Sequence, residues 1–196
     1  MSQPRPPVAN GEPADARAGR GPSLALPVGA SRDIAARRTH VKPSVSRTLL
    51  AGVAGGATLW AATFLTFVLV GSGPLFDPAV QSPKLIAVWT ELEPLPLFAT
   101  APHMVLLEYV LFATGYAFLL RSVAAAWPAG AWARTWRLAT VIWGLSCAFF
   151  ELLGPVNLLG EPPGLVALEL GFWAVAALAE SLVVVFLLRH PAVKNW

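Results

Sequence analysis

Four stretches of this chain stay predominantly apolar for the roughly 20 residues that a bilayer core requires, and each is bounded by proline, glycine or charge. The first, Thr48 to Val70, contains no ionisable residue. It is too long for a signal-peptide core and follows too extended an n-region, so an uncleaved helix is expected. The second runs from Pro102 or His103 to about Leu120, the third from about Leu138 to Leu158, and the fourth from about Gly164 to Leu188. Glu161-Pro162-Pro163-Gly164 separates the last two, because proline cannot continue a helix. The pattern predicts an all-α integral membrane protein, a bundle of four transmembrane helices over residues 48–190, with no internal repeat.

The connection from 71 to 102 carries its own signal. Ser82 and Pro83 form a helix start, a cap residue followed by proline at the first helical position. Leu85, Ile86, Val88, Trp89 and Leu92 then share one helical face, and Pro94 ends the run. A short amphipathic helix over about 83–93 is expected on the membrane surface, or as a lid over an outward-facing cavity. Between the second and third spans, Arg121 to Arg137 reads as an interfacial turn around Pro128 and Gly130.

Residues 1–47 lack any apolar period and are rich in Pro, Gly, Ala and Arg, so they read as a disordered basic tail. A start near Val41 would remove much of it, and a basic arm on anionic lipid is its alternative role. Arg and Lys lie in this tail, in the second connection (Arg121, Arg134, Arg137) and at the C-terminus (Arg189, Lys194), whereas only Lys84 lies on the other side. The positive-inside rule therefore places both termini, including the short tail 191–196, in the cytoplasm, and the short helix outside. A plasma membrane of the bacterial inner-membrane type is the expected location.

Composition sharpens the class. The 196 residues are 56% hydrophobic and 13% charged, about half the charge of a soluble domain. The eight tryptophans sit mostly near the ends of apolar runs, as an aromatic belt does. Net charge of +3 is explained by topology, so nucleic acid is not an expected partner. The single Cys147 excludes an intrachain disulfide or a CxxC redox pair. No span contains lysine, and His103 and His190 fall at opposite ends, which removes a Schiff-base chromophore and a bis-histidine haem. Ser146 has no histidine at its depth to act as base and reads as packing. No phosphate loop, HExxH or zinc spacing occurs, so neither a metal nor a cofactor is expected.

Against this background the acids stand out. Glu108, Glu151, Glu169 and Glu180 lie inside the expected spans, where a charge costs about 2.5–3.5 kcal/mol and normally faces a bundle interior or a wet cavity. At ~1.5 Å per residue, Glu108, Glu151 and Glu169 fall roughly 7–11 Å below the outer boundary, on three different helices. Glu180 lies deeper and shares a face with Glu169, Trp173 and Ala176. Glu151 lines up with Cys147, Gly144 and Thr140, and Glu108 with Phe112 and Gly115. Convergence of the three outer acids is the central expectation.

Pro155 lies four residues after Glu151, lacks an N–H and crowds the carbonyl of Glu151. A kink is expected there, with the freed carbonyl available to water, a cation or Asn157. His103 at the outer mouth is either a proton relay or an interfacial residue. Glu180 is a secondary candidate, with an arginine at the cytoplasmic edge as its possible partner. Gly52 and Gly56 form a GxxxG pair expected to pack helices inside the bundle.

Three functions are compatible with these residues. The first is a small accessory or assembly subunit, not an enzyme, whose glutamates organise helices in contact with lipid and with a membrane partner or a second copy. The second is a proton- or cation-coupled transporter or channel component. The third is a membrane acid–base enzyme acting on a lipid-like substrate. Base rates favour the first, since four helices without an inverted repeat make a poor transporter alone.

Overall fold

A computed structural model describes residues 43–127 and 130–189, all within the unit His40–Trp196. The expected disorder of residues 1–42, together with Pro128, His190 and the 191–196 tail, lies outside the described residues. Every regular element among the described residues is helical. Four helices are long and apolar enough to cross a membrane: Val45–Val70, Pro102–Val123, Ala131–Leu158 and Pro163–Leu188.

The fourth span's start lies within a residue of its expected position, and its end agrees. Three other boundaries move, each for a local reason. The first span begins at Val45 instead of Thr48, because Ser44 caps it and accepts from the Arg47 N–H at 3.3 Å. Arg47 thereby enters the first turn, and its guanidinium donates to the carbonyls of Leu187 and Arg189 at the end of the fourth span. The second span continues to Val123, with Arg121 donating to the Pro43 carbonyl at 2.9 Å. The third begins at Ala131, not Leu138, so the expected turn shrinks. Arg134, only 2% exposed, donates from this helix to the Ala124 carbonyl at 2.8 Å. Arg47 and Arg134, which sequence reading treats as topology marks, thus also satisfy carbonyls at helix C-termini, which otherwise lack partners, while Arg121 satisfies the carbonyl that precedes the first span.

The first span packs against both the second and the fourth. Gly52 and Gly56 make the first of these contacts. A Cβ at Gly56 would overlap the Val110 Cα and lie 2.7 Å from the Tyr109 carbonyl oxygen, and one at Gly52 would overlap Thr114. Gly55, on the neighbouring face, meets Val184 of the fourth span. An apolar core including Ala51, Ala117, Leu120, Leu138, Ile142, Val184 and Leu188 gathers near the end where Val45 and Leu188 lie, here termed the terminal end. Side chains such as Leu145, 71% exposed, and Phe150, 64% exposed, form an outer sheath suited to acyl chains.

At the opposite, loop end the connection between the first two spans folds into short helices, Ser72–Leu75, Pro83–Thr90 and Leu97–Thr100. The middle one is the helix expected over 83–93, and it stops at Thr90. Ser82 takes the N-cap position, but its hydroxyl makes no cap bond and instead donates to the Leu159 carbonyl. Leu85 is buried, while Trp89 meets Phe76 edge-on and Phe98 at a tilt, with centroids 5.8 and 4.7 Å apart.

Candidate functional site

The third span does not break at Pro155. It winds as a wider π-helix from Leu152 to Leu158, and as another from Trp143 to Ala148, on either side of Glu151. Pairing five residues apart sets the missing Pro155 N–H opposite Phe150 and leaves Val156 to face the Glu151 carbonyl. The expected orphan carbonyl at Glu151 is therefore replaced by a change of winding. Asn157, expected to serve that carbonyl, has an exposed side chain. π-turns are frequent at functional sites, and these two turn the Glu151 side chain inward, where it is 8% exposed.

Glu151 meets two other acids. One oxygen from each of Glu151, Glu161 and Glu169 lies within 4.8 Å of the others, and all three residues are buried. Glu169 comes from the second turn of the fourth span, and Glu161 from the loop that joins the third and fourth. Neutral donors complete the site. Trp173 Nε1 donates to Glu151 Oε1 at 2.6 Å, and Gln81 Nε2 donates to Glu161 Oε1 at 2.7 Å. Gln81 also orients the next residue, since its Oε1 accepts from the Ser82 N–H at 2.7 Å. Glu151 Oε2 and Glu161 Oε2 have no hydrogen-bond partner.

Electrostatics follow from this spacing. Two carboxylates 4.8 Å apart repel by about 3–4 kcal/mol even at an effective dielectric near 20. Three buried anions at that range would have only two neutral donors to offset their repulsion, so the arrangement suits shared protons or a bound cation. The groups acting on Glu161 are Gln81 and the other two acids. Burial pushes its carboxyl above the ordinary range, the Glu151 charge adds to that, and the Gln81 hydrogen bond opposes it. Sequence spacing offers no metal motif, yet the fold assembles three carboxyls that can hold an ion.

The third member of the cluster is a correction. Glu108 was expected there and Glu161 takes its place. Docking of Gly52 and Gly56 against Thr114 and Val110 sets the rotation of the second span. Glu108 lies two residues, about 200° of helical turn, from Val110 and so faces outward, exposed. Glu161 escaped notice because a loop residue has no periodicity from which to read a direction. Its signal was the EPPG run, two prolines that hold the acid against the start of the fourth span. His103 is exposed at the first turn of the second span and is not part of the cluster. Glu180 is fully buried, and neither of its carboxyl oxygens has a hydrogen-bond partner, so the expected arginine does not pair with it.

Beside the cluster lies a cavity of about 260 Å³. Glu151 and Trp173 contribute to its wall, as do Glu108, Tyr109, Phe112 and Phe150. Ser146 also lines it, and its Oγ lies 2.7 Å from Tyr116 Oη in a hydrogen bond that joins the second and third spans.

No family model, curated protein or solved structure matches this chain. Its class rests on its own geometry: the described residues form an all-helical fold with four helices suited to a membrane and a buried cluster of three carboxyls.

Proposed function

We propose that the protein is a multi-spanning membrane protein that takes up and releases positive charge at Glu151, Glu161 and Glu169, as the coupling site of a proton- or cation-driven transporter or channel component. The positive-inside distribution supports cytoplasmic termini in a plasma membrane, with the cluster and the short helix Pro83–Thr90 toward the outer face. The single observation that carries this reading is the mutual approach of three buried carboxyl oxygens within 4.8 Å. That span suits shared protons, and it also suits Ca²⁺, whose ligands at roughly 2.3–2.6 Å place opposite oxygens about 5 Å apart.

Infrared difference spectroscopy of the purified protein, titrated with pH and then with CaCl₂, tests it. The expected result is a protonated-carboxyl band that persists at neutral pH, or one that is discharged when Ca²⁺ binds, and that changes in Glu151→Gln and Glu169→Gln. Absence of both the band and Ca²⁺ binding would refute it.

A structural reading has one observation in its favour. The Trp173–Glu151 and Gln81–Glu161 hydrogen bonds tie the fourth span to the third and the first connection to the last loop. Such a cluster would organise an accessory subunit, and glutamine at each position would preserve both bonds. Wild-type activity in the triple glutamine variant therefore favours the structural role, and loss of activity with an intact fold favours coupling.

A further inference from the structure

The cavity beside the cluster has walls that a purely structural role leaves unexplained. Four aromatic side chains, Tyr109, Phe112, Phe150 and Trp173, line it together with Glu108 and Glu151. The second and third spans meet toward the terminal end, where Tyr116 bonds Ser146. Nearer the loop end the exposed Glu108 and Phe150 stand on the cavity's rim, one from each of these spans. In a bilayer that rim faces acyl chains, so an occupant enters from lipid.

The chemistry of the walls selects among occupants. A neutral lipid tail would leave the Glu151 carboxyl against hydrocarbon with nothing to balance a charge on it. A dehydrated inorganic cation needs six or more oxygens around it, more than these largely aromatic walls present. An organic cation satisfies both constraints. Its charge is met by the carboxylates and by the aromatic rings, whose faces attract a desolvated cation, and its alkyl surface is buried by the rest. A volume of 260 Å³ is just below the roughly 300–1,000 Å³ of drug-sized sites, so the occupant is small.

We propose that this cavity binds a small lipid-soluble organic cation of the quaternary-ammonium class, with Glu108 at the rim and Glu151 within as its counter-ions. Glu151 belongs to both the cavity and the carboxyl cluster. A second consequence, which rests on the coupling reading above, is that cation entry displaces a proton from the cluster. The titratable groups bearing on that exchange are Glu161 and Glu169 in the cluster and Glu108, Tyr109 and Cys147 on the cavity wall.

Equilibrium binding of benzyltrimethylammonium to the full-length protein in detergent tests the proposal, with neopentylbenzene as its uncharged twin of the same shape. The cation is expected to bind about tenfold or more tightly than the twin, and Glu108→Gln to weaken it by about the same factor. Glu108 is exposed and outside the cluster, so this variant is expected to fold and to leave the cluster's infrared band unchanged. Glu151→Gln should weaken binding and alter the band together. Equal binding of cation and twin, or indifference to both substitutions, overturns the proposal. Proton release on binding is read with a pH indicator. Cation binding without proton release upholds the cavity and counts against the coupling reading. A titrating cluster with no cation binding does the reverse.

Discussion

Trp173 and Glu151 face each other across the third and fourth spans, and the indole N–H donates to one carboxyl oxygen at 2.6 Å. The other oxygen of Glu151 has no hydrogen-bond partner and is buried. One neutral donor thus holds an acid in place without neutralising it. That arrangement makes Trp173 a positioning residue for Glu151.

Trp173→Phe keeps an aromatic ring, smaller than the indole, and removes the donor. Leaving Glu151 Oε1 without it is expected to destabilise the fold by about 1–3 kcal/mol. Chemical unfolding in detergent measures the loss, and the cluster's infrared band should shift in the same variant. An unchanged unfolding midpoint would show that this bond contributes nothing.

Glu161 sets a pH dependence. Its carboxyl lies above the ordinary range in the folded protein, chiefly through burial, so the folded state binds its proton more tightly than the unfolded chain does. Its contribution to stability is therefore complete at pH below the ordinary carboxylate range and is lost as pH rises through the raised value. Glu161→Gln cannot ionise and retains an acceptor for Gln81. Thermal unfolding across that pH window should show a shallower decline in the variant than in the wild type.

Gly56→Ala inserts a methyl into the Val110 backbone and is expected to cost about 1–3 kcal/mol as the first and second spans are forced apart. Gly73→Ala is the control, since its Cβ would meet nothing within 4 Å. Unfolding free energies of the two variants check this. Loss of a dimer with the monomer's stability intact would instead assign the GxxxG pair to self-association.

Arg47→Ala removes the guanidinium that caps the Leu187 and Arg189 carbonyls. Fraying of the last turn of the fourth span is expected, at a cost of about 1 kcal/mol after allowance for partial exposure. Hydrogen exchange at residues 185–189 should accelerate while exchange around Glu169 stays unchanged.

The sequence by itself determined the four helices, because their signals are local: apolar length, the proline at 102, and the Glu161–Gly164 break between the third and fourth. It also singled out Glu151 and Glu169, since an acid within an apolar run is visible wherever it points. Tertiary structure decided which acids meet. Two glycines of the first span set the rotation of the second and turned Glu108 outward, a result of close backbone approach that no single-helix periodicity contains. The loop geometry that carries Glu161 inward, and the clasp of Gln81 and Ser82 from a connection 70 or more residues away, depend on contacts between distant segments. Helix formation is governed by neighbours in the chain, whereas the cluster is governed by neighbours in space.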